Sequence, residues 1–181
     1  MYPADLSKKE VFMYTLKNIT IESIHSALKK AERYRLLNEP REAESICLDI
    51  LQVEPNNEEA LIMLLLTYTD KFKTELYPAF KNAESVIERL QDEHCKAYYR
   101  GVVYERRAKA HMSQIGPSAD DMAHGWFTKA MNEFEQALES DLPGNQDAAL
   151  RWNTCARILN ENPHLKPAEE NREAEVMDDY E

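Results

Sequence analysis

Glycine, long apolar runs and strand-like patterns are scarce in this chain of 181 residues. Only four residues are glycine, and they are scattered, so no glycine-rich loop of the kind that cradles phosphate groups is present. The longest apolar block covers 60–66, which is far too short to span a bilayer, and we expect no membrane insertion. Alternating β-branched segments are nearly absent, whereas alanine, leucine, glutamate and lysine abound. This composition predicts helices.

Positive charge is also in short supply. Lysine and arginine number 22 against 33 acidic residues, a net charge of −11. Proteins that bind nucleic acid need clustered cations to neutralise phosphates, so nucleic acid is not an expected partner. Over 161–181, eight acidic residues stand against Lys166 and Arg172, a net charge of −6. We expect an acidic, solvated tail there.

The three cysteines, Cys47, Cys95 and Cys155, are odd in number and far apart. Each lies in an apolar helical pattern, which favours buried free thiols and a reducing compartment. The first ten residues do not have the apolar run of a signal peptide. We therefore expect a cytoplasmic protein.

Prolines and capping residues divide the chain into eight predicted helices. Ser7 with Glu10, Asn56 with Glu59 and Ser118 with Asp121 resemble capping boxes. The predicted helices cover 7–18, 21–37, 40–54, 57–72, 79–91, 93–114, 118–140 and 146–160. A ninth, weak and charged, is expected after Pro167.

A recurring spacing of small and large residues runs through these helices. In "AMNEFEQALESDLP", Ala130, Phe134 and Ala137 fall on one helical face, and Pro143 ends the segment. Two alanines beside a ring allow another helix to approach closely. The segments "AESICLDILQVEP" and "AESVIERL" have nearly the same offsets.

These helix pairs resemble the tetratricopeptide repeat (TPR) family, whose unit of 34 residues is a helix pair ending in proline. The first unit carries Ala27, Ala31, Tyr34, Ala43, Cys47, Ile50 and Pro55. The second carries Leu61, Leu65, Tyr68, Ala83, Ile87 and Leu90, and the third carries Ala97, Gly101, Tyr104, Ala130, Phe134 and Ala137. Relative to that unit, the second has about six extra residues and no terminal proline, and the third has about 17 extra.

The resemblance implies an all-α, antiparallel helix-pair superhelix, a TPR-like α-solenoid of about three repeats with capping helices at both ends. The expected parts are an N-terminal helix over 1–20, three helix pairs over 21–143 with an elongated third pair, a capping helix over 144–160 and the acidic tail over 161–181. A single helix pair cannot bury its own apolar side chains, and stacking several pairs encloses them in a continuous core. The superhelix has a concave face that binds peptides in the family.

No catalytic, cofactor-binding or metal-binding residues are predicted. No histidine pairs at i, i+4 with another histidine or a cysteine, as a metal site on a helix would require. In some members of the TPR family, lysine, asparagine and arginine on the groove-facing helices clamp a carboxylate. The corresponding positions here do not hold that set.

Those positions predict an apolar groove instead. It comprises Leu28, Ile62, Met63, Leu66, Tyr98, Tyr99 and Val102. The rings of Tyr98 and Tyr99 should diverge by about 100°. A partner's peptide or helix would fill the groove, or else the chain's own N-terminal helix or tail.

A second contact surface is predicted around "IGPS". Its residues are Met112, Ile115, Met122 and Trp126. The alternative is that they pack on the second helix pair, near Phe72, Leu76 and Tyr77.

The predicted function is a non-catalytic scaffold or adaptor that binds a protein or peptide. Two alternatives stay open. One is a cytoplasmic chaperone for a secreted or assembly-prone client, and the other is a helical ligand-binding or catalytic domain.

Overall fold

The computed structural model of the chain describes residues 14–114, 116–139 and 145–167. Within these ranges it is all-helical and has no strand, which confirms the predicted all-α class. The helices are α1 (Ile24–Leu36), α2 (Pro40–Val53), α3 (Glu58–Asp70), α4 (Phe72–Ile87), α5 (Glu93–Met112), α6 (Pro117–Glu139) and α7 (Asp147–Glu161). A single 3₁₀ turn, Ile21–Ser23, precedes α1.

Local chemistry explains most of the helix ends. Asn38 adopts a left-handed φ of 59° after α1, and Pro40 occupies the first turn of α2. The side chain of Asn57 accepts a hydrogen bond from the Ala60 amide at 2.8 Å, and Asp92 caps α5 in the same way. The cap of α3 is thus Asn57 and not Asn56, which the sequence suggested.

Three predicted boundaries differ from the structure. The segment 73–78, predicted to be a connection, belongs to α4, because the chain bends at Glu75 (φ −134°, ψ 45°) and so accommodates Pro78. Helix α6 begins at Pro117, so Ser118 lies inside it and is not its cap. Residues 14–20 have no regular secondary structure, although a helix was predicted to reach 18. Three other predicted features lie outside the described residues: the rest of that helix, Pro143, and the charged helix expected after Pro167.

The helices pack in consecutive pairs. The two members of each pair, α1 with α2, α3 with α4 and α5 with α6, lie against each other, and each pair contacts the next. Short connections make consecutive helices antiparallel. The odd-numbered helices also contact one another in series, from α1 through α3 and α5 to α7. One side of the molecule is therefore built from the odd-numbered helices.

Two clusters of buried side chains form the core. One involves α1 to α5, and the other involves α5, α6 and α7. Leu66, Tyr104 and Trp126 pack against both clusters and join them. Ala130, Phe134 and Ala137 are all completely buried, as their spacing on one helical face suggests.

Candidate functional site

Helix α3 carries three apolar residues that pack against the core but are only partly buried. Ile62, Met63 and Leu66 are half-buried, whereas Leu61, Leu64 and Leu65 are buried. Ile62 and Leu66 are one helical turn apart, so they lie one above the other. Tyr99 of α5 is also half-buried and packs against the same core cluster. We call Ile62, Met63, Leu66 and Tyr99 the apolar stripe.

Two residues of the predicted groove are buried. Leu28 is 8 % exposed and Val102 is 1 % exposed. The contact between α1 and α3 explains the burial of Leu28, and Val102 belongs to the cluster shared by α5, α6 and α7. Val102 is therefore not free to contact a partner, which corrects its assignment to the groove, whereas Leu28 keeps a small exposed area that lines a depression beside Glu58 and Glu59.

Tyr98 and Tyr99 do not diverge as predicted. Their ring centroids are 5.1 Å apart at an angle of 82°, an edge-to-face contact. Tyr98 also lies 6.0 Å from the ring of Phe134 on α6. Burial raises the pKa of Tyr99 to about 12. Side-chain torsions bring the two rings together although their Cα–Cβ bonds point in different directions.

An ion cluster links three odd-numbered helices at one edge of the apolar stripe. Asp70, at the end of α3, accepts a hydrogen bond from Arg35 Nε of α1 at 2.7 Å and another from Arg106 Nη1 of α5 at 2.5 Å. Arg106 Nη1 also donates to Thr69 Oγ1. Arg35 Nη1 contacts Met63 Sδ at 3.8 Å, so this cluster is continuous with the stripe.

A cleft of about 350 Å³ opens beside this ion cluster. We call it the basic cleft, since three of its residues are cations and one is an anion. It is lined by Asn38, Thr69, Asp70, Phe72, Lys73, Arg106, Lys109 and Ala110. Lys73 is exposed and has no ion pair within the described part of the chain.

A buried carboxylate, that of Glu105, holds Lys109 of the basic cleft in place. Glu105 is completely buried, with Lys109 Nζ at 2.5 Å and Arg151 Nη1 of α7 at 3.0 Å. Its two oxygens are therefore paired with two cations, as a buried charge requires. This triad ties α5 to α7 next to the basic cleft.

The opposite edge of the odd-numbered helices is acidic. Glu54, Glu58 and Glu59 surround an open depression that also contains His25 and Leu28. Asp92 and Glu93 stand at the start of α5 and Asp147 at the start of α7. Negative charge at helix N-termini is favourable because of the helix dipole. The apolar stripe thus lies between an acidic edge and a basic one.

Three of the four residues of the predicted second surface belong to the described part of the chain. Met112 and Trp126 are half-buried, Met122 is 37 % exposed, and Ile115 lies outside the described residues. The ring of Trp126 lies 5.4 Å from Phe80 of α4. Trp126 thus packs on the second helix pair, as the alternative predicted, and does so through Phe80, which was not among the predicted contacts.

Arg107 fills the space between these aromatic rings. Its guanidinium carbon lies 3.9 Å from the Phe80 centroid and 4.0 Å from that of Trp126. Such stacking is attractive because the ring faces carry negative charge density. One helical turn on, His111 is 3 % exposed, and burial together with Arg107 lowers its pKa. A neutral imidazole is therefore favoured there.

The described residues offer no group of three or more metal-ligating side chains. None of the helices in the same residues is both long and apolar enough to cross a bilayer. Cys47 and Cys155 are buried free thiols, and Cys95 is half-buried. Burial raises the pKa of Cys47 and Cys155 to about 12 and that of Cys95 to about 11.

The ion cluster was missed by the sequence analysis, although a signal for it exists. Arg35, Asp70 and Arg106 are spaced by nearly one repeat length and alternate in sign. Charges of opposite sign at equivalent positions of successive repeats would meet when the repeats stack. A search of the repeat register for charged residues could have found this cluster.

Comparison with family models, with curated proteins and with solved structures finds no match.

Proposed function

We propose that this chain is a non-catalytic interaction scaffold of TPR-like architecture. The side formed by α1, α3 and α5 binds an extended or helical segment of a partner protein in a reducing compartment such as the cytoplasm. The observation that carries the proposal is the apolar stripe. Three apolar residues on a single side of α3 remain partly exposed although every neighbouring apolar position of that helix is buried.

The charges at the two edges of the stripe support a partner segment as its occupant. Apolar side chains of the segment would cover Met63 and Leu66, and burial of such groups stabilises a complex by roughly 25 cal/mol per Å² of apolar area before the costs of association. An acidic side of the segment would face the basic cleft, and a basic side would face Glu58 and Glu59. Complementary charges of this kind determine orientation and partner choice.

Site-specific photo-crosslinking tests the proposal. A photoreactive residue is placed at Met63, in the stripe, and in a matched variant at Leu48, a 48 % exposed residue of α2 outside the stripe. In cells that naturally express the chain, the proposal predicts a defined crosslinked protein at position 63 and not at position 48. That crosslink should disappear when Leu66 is replaced by aspartate.

Two outcomes would count against the proposal. Equal crosslinking at positions 63 and 48 would mean that the stripe is not a preferred contact. A crosslink from position 63 to residues 1–13 or 168–181 of the same chain would mean that the chain covers its own stripe.

A further inference from the structure

We propose that the basic cleft binds carboxylate side chains of an acidic segment in a partner protein. This inference rests on the proposed function and deepens it, because it names the chemistry of one part of the partner. The cleft contains Lys73, Arg106 and Lys109 against the single anion Asp70, a local excess of positive charge in a chain whose net charge is −11.

The donors of the cleft are held in place while part of their capacity remains free. Arg106 is fixed by Asp70 and Thr69 through Nη1, which leaves its second terminal nitrogen for another acceptor. Lys109 donates to the buried Glu105, and an ammonium group has three donors. Lys73 extends from the single turn that precedes the bend at Glu75, and its side chain is exposed.

The placement of the cations in the cleft suits carboxylates along a peptide. Asp70, the single anion of the lining, is already paired with Arg35 and Arg106. Asp70 engages only Nη1 of Arg106, so the other terminal nitrogen stays available to a carboxylate. The two lysines are separate point charges on different helices, which suits separate carboxylates along a peptide.

The position of the cleft connects it to the apolar stripe. Arg35 contacts both Met63 of the stripe and Asp70 of the cleft. Ile62, Leu66 and Asp70 follow one another at four-residue spacing on α3 and so share one side of it. A partner segment seated on the stripe would therefore place one of its sides in the cleft.

Amide NMR titration of the full chain tests this inference without the partner. The probes are a blocked tetraglutamate peptide and, separately, inorganic phosphate, at about 50 mM salt so that screening stays moderate. The peptide should shift the amides of Thr69, Lys73, Lys109 and Ala110 in a saturable manner. Phosphate should bind more weakly at the same amides.

Charge-matched variants identify the site. Replacing Lys73 and Lys109 by glutamine should weaken peptide binding about tenfold, since hydrogen bonds to charged groups are lost. The control replaces Lys30 and Lys81, two exposed lysines outside the cleft, by glutamine, and should weaken binding by less than about twofold, as expected of screened distant charges. The single variant Lys73→Gln breaks no ion pair among the residues that the structure describes, and it serves if the double variant fails to fold.

Four results would overturn the inference. They are the absence of saturable shifts, an equal loss of affinity in the control, tighter binding of phosphate than of peptide, and displacement shifts at residues 168–181, which would identify the chain's own tail as the occupant. Failure of the proposed function is separate, because it would appear in the crosslinking at position 63 and leave this titration unchanged.

Discussion

A Cβ atom on Gly101 would lie 2.6 Å from Cε1 of the Phe134 ring. That ring is completely buried between α5 and its neighbours, so it cannot move aside as an exposed side chain could. The close approach of the α5 backbone to an aromatic ring explains why α5 and α6 pack so tightly. Glycine is the residue that this contact requires.

Gly101→Ala should therefore destabilise the fold. Alanine favours a helix by up to about 1 kcal/mol over glycine, but overpacking a core costs about 1–3 kcal/mol, and we expect the second effect to dominate. Urea unfolding measures the difference. Gly125→Ala in α6 is the matched control, because nothing lies within 4 Å of its Cβ position, and it should stabilise. A gain of stability in both variants would show that the ring contact is not close.

Replacement of Glu105 by glutamine should destabilise the fold by about 1–3 kcal/mol, because a completely buried carboxylate loses its charge-assisted hydrogen bonds to Lys109 and Arg151. The control is Glu88→Gln, because the side chain of Glu88 pairs with Arg100 but is itself 69 % exposed. That variant should change the free energy of unfolding by less than about 1 kcal/mol. Equal effects in chemical denaturation would refute a structural role for the buried triad.

The free energy of unfolding should fall as the pH rises above about 9. Burial holds the pKa of Cys47 and Cys155 at about 12 in the folded chain, whereas an unfolded thiol titrates near 9. Between these values the unfolded state has released protons that the folded state retains, so unfolding becomes more favourable as pH rises. The stabilisation contributed by these two buried thiols is fully present below about pH 9 and is lost progressively towards about pH 12.

Denaturation at pH 8 and pH 10 checks this linkage. The variant Cys47→Ala is the control, because it cannot titrate at this position, and its stability should decline less between the two pH values. An identical decline in the parent and the variant would contradict the assignment of this effect to the thiol.

Alanine at either Tyr98 or Tyr99 should cost about 2 kcal/mol or more of stability, since both rings are half-buried and packed on each other. Tyr98→Ala should cost more, because its ring also contacts Phe134. Thermal melts of the two variants compare these costs. A variant that melts like the parent would show that its ring is not packed in solution.

Local signals explain how much of the fold could be predicted. Asn38 ends α1, Pro40 begins α2 and Asp92 caps the start of α5. Each acts within one turn of the chain, so these three boundaries follow from short segments. The bend at Glu75 could not be predicted in this way, because Pro78 is compatible with either a connection or a kinked helix, and packing of Phe72 and Phe80 in the core selects the helix.

The candidate site could be predicted only in part. Ile62, Met63 and Leu66 were indicated by the resemblance, because they occupy the positions that face the groove in the TPR unit, and all three are partly exposed. The burial of Leu28 and Val102 depends on how closely neighbouring helices approach, which a single helix does not reveal. The cluster of Arg35, Asp70 and Arg106 is non-local, since each residue lies on a different helix.

The most direct test of the central proposal is a calorimetric titration with the protein captured by the crosslink at position 63. The variants are Met63→Asp in the apolar stripe and Leu48→Asp on the exposed side of α2, and circular dichroism confirms that both are folded. We predict that Met63→Asp weakens binding by about 2 kcal/mol or more, as for a central interface residue, whereas Leu48→Asp binds like the parent. Equal affinity of all three proteins would contradict the proposal that the stripe is the binding surface.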